Sequence, residues 1–475
     1  MDQTDSRLRE ATHGLIDRSP HLSAHRVLTA RQAIAMGVLV ATLVLLGLAH
    51  PLLVLRGLVT LITLAYLAAL AYRVALILNG TKGSHMVHVS DEEALAFPAD
   101  DLPLYTVLVP AFREPLIGEL VAGLAAMDYP HDKLDIRLLL EADDDETVAA
   151  ARASSPPSYV TIVLVPPSQP RTKPKACNYG LADADAELVT IYDAEDVPDR
   201  LQLRRAVVAL HRLGPDYACV QAQLGYFNSR QNLLTRWFTV EYGAWFTYLL
   251  PGLIALGAPV PLGGTSNHFR ADVLKKIGAW DPYNVTEDAD LGMRLARLGH
   301  RVGVIDSVTL EEANSDSINW IKQRSRWYKG YLQTCLVHLR HPVTTWRQLG
   351  SRGITGLILF IGGTPALAAT NAVFWMLTAM WFVGRPDWIP PLFTPFTYYL
   401  GLICFVCGNF LVVYMNVFAT RQLNRPDLLL AALTTPAYWV LMSLAAIKAV
   451  IQLVFQPSYW EKTTHGLHKT KTVDA

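Results

Sequence analysis

Long apolar runs stand near both ends of the chain, and between them short apolar runs alternate with segments of helical spacing. Residues 34–54 and 57–78 are each long enough to cross a bilayer core. Arg7, Arg9, Arg18, Arg26 and Arg31 precede them and only Arg56 lies between. The positive-inside rule therefore predicts a cytoplasmic N-terminus, with the chain back in the cytoplasm near residue 80. From there Tyr105–Phe112, Asp135–Leu140, Tyr159–Val165, Leu188–Tyr192 and Cys219–Leu224 read as buried strands. Segments 115–127, 173–186 and 199–213 between them carry helical spacing. This alternation predicts an α/β domain with a mostly parallel sheet, whose ligands bind at the carboxyl ends of the strands.

Beyond the insert the pattern returns to long apolar segments. Gly362-Gly363-Thr364-Pro365 predicts a break in 353–383, giving a short interfacial helix and then a span at 366–384. Segment 396–419 is a second span, ending before Arg421 and Arg425. Segment 428–455 carries Pro436 and Lys448 and reads as interfacial or as a re-entrant hairpin, because Lys462, Lys469 and Lys471 mark the tail as cytoplasmic. The resulting map is a cytoplasmic segment 1–33, two transmembrane helices 34–78, an inserted domain 80–345, transmembrane and interface helices 346–455, and a cytoplasmic tail 456–475.

Charge sharpens the division. Only 17% of the 475 residues are charged, against roughly 25% in a soluble protein. Segments 34–78, 353–383, 396–419 and 428–455 hold just Arg56, Arg73 and Lys448, so the remainder has a nearly normal share. Arg73 and Lys448 are expected at the cytoplasmic interface or facing a pore. A purely soluble enzyme, a disordered chain and an all-helical transporter are excluded. The net charge is zero, so nothing argues for nucleic acid. Five scattered cysteines make no disulfide framework, Cys404 and Cys407 read as packing residues, and the first 30 residues show no secretory signal.

Four polar motifs follow predicted strands or open helices. Glu141-Ala-Asp143-Asp144-Asp145 follows a strand, where carboxylates hydrogen-bond a base or ribose in nucleotide folds or simply cap a helix. Asp193-Ala-Glu195-Asp196 follows another, and carboxylates two apart suit Mg²⁺ or Mn²⁺. Lys173 and Lys175, with Asn178, precede that strand and suit a diphosphate. Thr286-Glu287-Asp288 opens helix 288–297, where capping alone explains it. Gln323, Arg326, Trp327 and Gly330 share one helical face, offering a guanidinium for phosphate and an indole for a sugar ring, or lying on an anionic membrane surface.

In order and spacing these motifs resemble the membrane-embedded family 2 glycosyltransferases, the group of cellulose, chitin and hyaluronan synthases. The resemblance runs from Val107 to Trp460 and includes Val109-Pro-Ala-Phe-Arg-Glu114, Lys175-Ala-Cys-Asn178, Gly264-Thr265-Ser266 and Trp460-Glu-Lys462-Thr463-Thr-His465-Gly466. It implies a GT-A-like cytoplasmic domain inserted between transmembrane helices of a bacterial-type inner membrane. Asp288 would be the catalytic base. Glu141, Asp143, Asp144, Lys175, Asp193 and Arg326 would bind the donor. Asp193 with Glu195 or Asp196 would hold Mg²⁺ or Mn²⁺; the family usually shows Asp-x-Asp, and Glu195 departs from it. Thr265, Ser266, Glu287, Gln323 and Trp327 would serve the acceptor, and Trp460, Lys462 and Thr463 would form a gating element. The implied activity is inverting polymerisation of a UDP-linked sugar, with UDP-glucose or UDP-N-acetylglucosamine as leading donors, into a β-linked glycan exported across the bilayer. An export partner or a homo-oligomer is compatible with it. Transfer of one sugar to a lipid carrier, or a degenerate receptor or scaffold, are the rival readings.

Overall fold

The computed structural model describes residues 3–82, 85–114, 117–457 and 459–461. Nine strands form one mixed sheet: β1 Met86–Val87, β2 Tyr105–Ala111, β3 Leu134–Glu141, β4 Val160–Val165, β5 Leu188–Ile191, β6 Val197–Pro198, β7 Tyr217–Tyr226, β8 Asn267–Arg270 and β9 Arg301–Glu311. Their order is β1-β9-β7-β8-β5-β2-β3-β4, with β6 on β9. β8 runs antiparallel to β5 and β7, and β6 antiparallel to β9; every other pairing is parallel. The expected strands are all present. β9 was not expected, because its polar Asp306, Ser307 and Thr309 interrupt the apolar run.

This topology gathers chemistry at one edge. Parallel β2, β3 and β5 end at Ala111, Glu141 and Ile191, so the loops with Phe112, Asp143 and Asp193 leave side by side. Because β8 is antiparallel, Gly264-Thr265-Ser266 enters the sheet at that same edge. Helices α1 Gln3–Arg18, α2 Ala30–Ala49, α3 Pro51–Gly80, α4 Asp145–Ala153, α5 Lys173–Leu181, α6 Glu287–Arg297, α7 Ser317–His338, α8 Pro342–Gly384, α9 Pro395–Gln422 and α10 Thr435–Phe455 complete the frame.

By length and composition α2, α3, α8, α9 and α10 are apolar enough to cross a membrane. α10, however, lies along α7. Tyr438 near its start packs at a tilt against Trp320 with centroids 5.0 Å apart, and the Gln333 amide donates to Pro457 O at 2.7 Å just beyond its end. α10 is thus held against α7 near both of its ends. α8 differs from expectation: its kink falls at Gly350 (φ 67°), not at Gly362–Pro365. A wide π-helical stretch, Gly356–Gly362, carries the chain into Pro365 without interrupting the helix.

The N-terminal segment is not a free tail. α1 packs on α5, where Arg7 lies over the Tyr179 ring at 4.0 Å and donates to Asp183 at 2.6 Å. After it, Ser23 Oγ and the Ala24 amide donate to buried Asp281 at 3.0 and 2.5 Å. Tyr283 N donates to the same carboxylate at 3.2 Å, so the strap fixes the loop that leads into α6. Asp281→Ala leaves these buried donors unsatisfied. We expect a loss of about 1–3 kcal/mol, read as a lower thermal midpoint of the detergent-solubilised protein.

Candidate active site

A cavity of about 1340 Å³ opens at the carboxyl edge of the sheet and continues between the membrane helices. Phe112, Arg113, Lys173, Asp193, Glu195, Thr265, Thr286, Glu287, Asp288, Glu311, Gln323, Arg326, Trp327 and Trp460 line it. Strand ends, the start of α6 and one face of α7 therefore present their motifs to a single space.

Within it the acids are differentiated. Asp193 and Glu195 line the cavity, whereas Asp196 turns inward. Asp196 Oδ2 accepts from the Asp193 amide at 2.7 Å and from the Thr265 hydroxyl. Of the two candidates, Glu195 therefore faces the cavity and Asp196 does not: Asp196 shapes the loop, and its other oxygen is buried without a partner among the described residues. No group of three or more His, Cys, Asp or Glu is arranged around a metal among the described residues. Two carboxylates at a strand end nevertheless suit a hard cation that takes its remaining ligands from water and phosphate. Burial, then Asp193 and Glu195, push the Asp196 carboxyl well above its usual range.

Other expected roles shift with geometry. Lys175 is fully buried, bonds Glu141 at 2.8 Å, and does not line the cavity. Lys173, two residues earlier, takes the cavity side, pairs with Asp193 and donates to Gly264 O at 2.8 Å. Burial alone would lower this ammonium, but Asp193 and then neighbouring Cys177 and Glu287 hold it above the usual lysine range. Asp144 caps α4, accepting from Thr147 N at 3.4 Å, and receives the Arg113 amide at 2.6 Å. Burial works against its ionised form, and these hydrogen bonds overcome it. It orders the 112–114 loop rather than facing the cavity. Asp143 pairs with Arg171, whose guanidinium lies 4.5 Å from the Phe112 ring. Ser266, at φ 57°, donates to Thr309 Oγ1 at 2.7 Å and is buried. Its hydroxyl is therefore structural rather than acceptor-facing.

The base region is held by α7. Asp288 Oδ1 accepts from Ala289 N at 2.7 Å. Burial lifts the Asp288 carboxyl to about 6. Burial and then Asp288 lift Glu287 to about 8. One neighbour is thus ionised at neutral pH and the other protonated. A β-carbon on Gly330 would collide with the Thr286 side chain, so glycine lets α7 approach the start of α6. The Thr286 hydroxyl and Gln323 Oε1 have no partner among the described residues, although both line the cavity.

Residues outside the expected set complete the wall. Arg324 bonds both oxygens of Glu241, at 2.9 and 2.6 Å, and lies over Trp327 at 4.7 Å, fixing that indole. Glu311 ends β9 in the cavity, and burial with Asp196, Asp193 and Glu195 raises its carboxyl far above normal. Arg326 lies over Trp460 at 5.1 Å and donates to Glu461 O at 3.3 Å. Glu461 in turn bonds Lys448 at 2.7 Å and Gln452 at 2.9 Å, which accounts for the lone charge of α10. Lys462 and Thr463 lie outside the described residues.

A mixed α/β sheet with acidic loops at its carboxyl edge is the arrangement of GT-A glycosyltransferases. A mannosyltransferase from Pyrobaculum calidifontis, solved with GDP-mannose and Mn²⁺, superposes with a TM-score of 0.53 at 20% identity, over 84% of this chain and 99% of its own. Residues 103–330 match the profile described as "Glycosyltransferase like family 2", and the chain carries a family 2 glycosyltransferase domain. A probable glycosyltransferase, YdaM of Bacillus subtilis, is 26% identical over 48% of this chain and 56% of its own length. A beta-monoglucosyldiacylglycerol synthase of Synechocystis is 27% identical over 74% of this chain and 73% of its own. Cellulose synthase 2 of Novacetimonas hansenii is 25% identical over 53% of this chain, which spans only 16% of that protein.

Two outcomes follow from this geometry. Gly330→Ala displaces Thr286 and with it Asp288, the expected base; turnover should fall at least tenfold while thermal unfolding shifts by only a few degrees. A base must be ionised to accept a proton, so with Asp288 in that expected role turnover should fall about tenfold per pH unit below about 6, measured as nucleoside diphosphate release at constant ionic strength.

Proposed function

We propose that the chain is an inverting hexosyltransferase that extends a β-linked glycan from a nucleotide sugar and passes it into the membrane. One observation carries this reading. The cavity holding Asp193, Asp288 and Trp327 adjoins a second, of about 930 Å³, along α3, α8 and α9. That second cavity reaches Phe382 and Pro390 at the far end of α8, so the two together run from the base along the length of the helices.

The residues divide the work. Asp193 and Glu195 would hold Mg²⁺ or Mn²⁺ against the donor diphosphate, and that cation would neutralise the leaving group. Lys173 and Arg326 flank the same space and add positive charge as the sugar–phosphate bond breaks. The diphosphate is UDP on this reading. Asp288 takes the proton of the acceptor hydroxyl as it attacks the anomeric carbon from the opposite face, so an α-linked donor gives a β-linked product. The elevated Asp288 carboxyl is a stronger base than an ordinary aspartate yet remains ionised at pH 7. Protonated Glu287 donates to the acceptor, while Gln323 and Thr286 supply the unpartnered oxygens that its hydroxyls require. Trp327 offers a ring face for the penultimate sugar, and Trp460 over Arg326 sets access to the donor side. The catalytic domain faces the cytoplasm of a bacterial-type inner membrane.

Transfer of a single sugar to a lipid is favoured by two other observations: the apolar walls of the second cavity and the alignment with the lipid synthase over 74% of the chain. One experiment separates the two. Purified protein receives UDP- and GDP-sugars with Mg²⁺ or Mn²⁺, and products are sized and digested with linkage-specific glycosidases. A β-glycan of many units, absent with Asp288→Asn, supports polymerisation. A single lipid-linked sugar supports the second reading, and nucleotide release undiminished in Asp288→Asn rejects the base assignment.

A further inference from the structure

The catalytic and membrane cavities meet at a neck formed by Arg73, Tyr328, Phe360, Thr364, Trp439 and Met442. Beyond the neck, Arg73 is the one charged residue among those lining the membrane cavity. It stands on α3, a membrane-length helix, and makes no hydrogen bond or ion pair among the described residues. The carboxylate that acts on it, Glu241, already accepts from both terminal nitrogens of Arg324 and from the Tyr438 hydroxyl at 2.8 Å. Glu241 therefore has little capacity left for a second guanidinium. An unpaired cation at membrane depth is costly and is found where an anion comes to meet it.

The walls beyond Arg73 say what kind of molecule brings that anion. Leu70, Leu359, Phe374 and Leu402 present hydrocarbon, and the polar Tyr66 hydroxyl is already consumed by Asn371 at 2.5 Å and Leu367 O at 2.7 Å. Phe382, Phe405 and Tyr399 line the cavity and are also exposed on the outside of the bundle, so it opens sideways. A cationic end and apolar walls reached from the side complement an anionic amphiphile.

We infer that a membrane lipid with a net-anionic phosphate headgroup occupies this cavity, its phosphate on Arg73 and its chains along α3, α8 and α9. The headgroup then stands at the neck, on the acceptor side of Asp288 and Trp327. A lipid there would stand where an exported glycan would pass, so the inference rests on the single-sugar reading rather than on polymerisation.

The detergent-solubilised full chain is exchanged into mixed phosphatidylglycerol and phosphatidylcholine with identical chains, and retained lipid is counted by native mass spectrometry. One phosphatidylglycerol should be retained in at least tenfold preference over phosphatidylcholine. Arg73→Gln should reduce that preference at least tenfold, and Arg73→Lys should keep most of it. Ala69→Trp, which narrows the cavity wall, should reduce retention of both lipids. Equal retention of the two lipids, or an unchanged preference in Arg73→Gln, overturns the proposal. So does displacement of the lipid by inorganic phosphate at equal concentration, which would make the site a free-anion site. Nucleoside diphosphate release, followed on the same preparations, reports separately on the catalytic reading: its absence with lipid preference intact rejects that reading alone.

Discussion

Like charge crowded into one cavity is the constraint around which the catalytic half is built. Asp193, Glu195, Glu287, Asp288 and Glu311 share a wall, with Asp196 just behind. Few cations stand opposite: Lys173 and Arg326 among the groups that line it near these acids. Carboxylates so close cannot all be ionised without added positive charge. The structure distributes the strain unequally. Asp196 and Glu311 are pushed far up by burial and by their neighbours, Glu287 less so, and Asp288 least. A bound cation would relieve this crowding, and the differences between the acids fit the proposed division between a base and a proton donor.

α7 is the element through which this chemistry is joined to the membrane part. One face brings Gln323, Arg326 and Trp327 to the cavity, and Gly330 lets the helix close on Thr286. Arg324, one residue from Arg326, turns away to Glu241 and supports the Trp327 indole from beneath. α10 lies along the same helix, and the chain then reverses so that Pro457, Tyr459 and Glu461 meet Gln333, Lys329 and Ser325 in turn. Movement of α7 would therefore be felt at the base, at the donor side and at the tail together.

Much of this was legible in the amino-acid pattern. Apolar runs predicted the central strands because buried parallel strands are continuously hydrophobic, and acidic clusters fell where strand ends require them. What the pattern does not encode is which member of a cluster faces the cavity. Lys173 and Lys175 are both at the start of α5, yet positions two apart point to different sides of a helix; one meets Asp193 and the other is sealed against Glu141. Asp144 and Asp196 are likewise consumed by local amides, a matter of loop geometry rather than residue type. Glu241, Glu311 and the Ser23–Asp281 contact were missed for another reason. Each depends on residues far apart in sequence, and none sits in a recognisable run.

That last contact has a consequence for how the molecule is made. Ser23 and Ala24 are made more than 250 positions before their partner Asp281. Arg340, which closes over the carbonyls of Pro20 and His21 at 3.2 and 3.0 Å, comes later still. Local strands and helices form quickly, whereas contacts of such separation wait for the chain between them. The loop ahead of Asp288 is thus fastened only after the long intervening segment has been made. Until then Asp288 lacks the contacts that fix the loop leading to it.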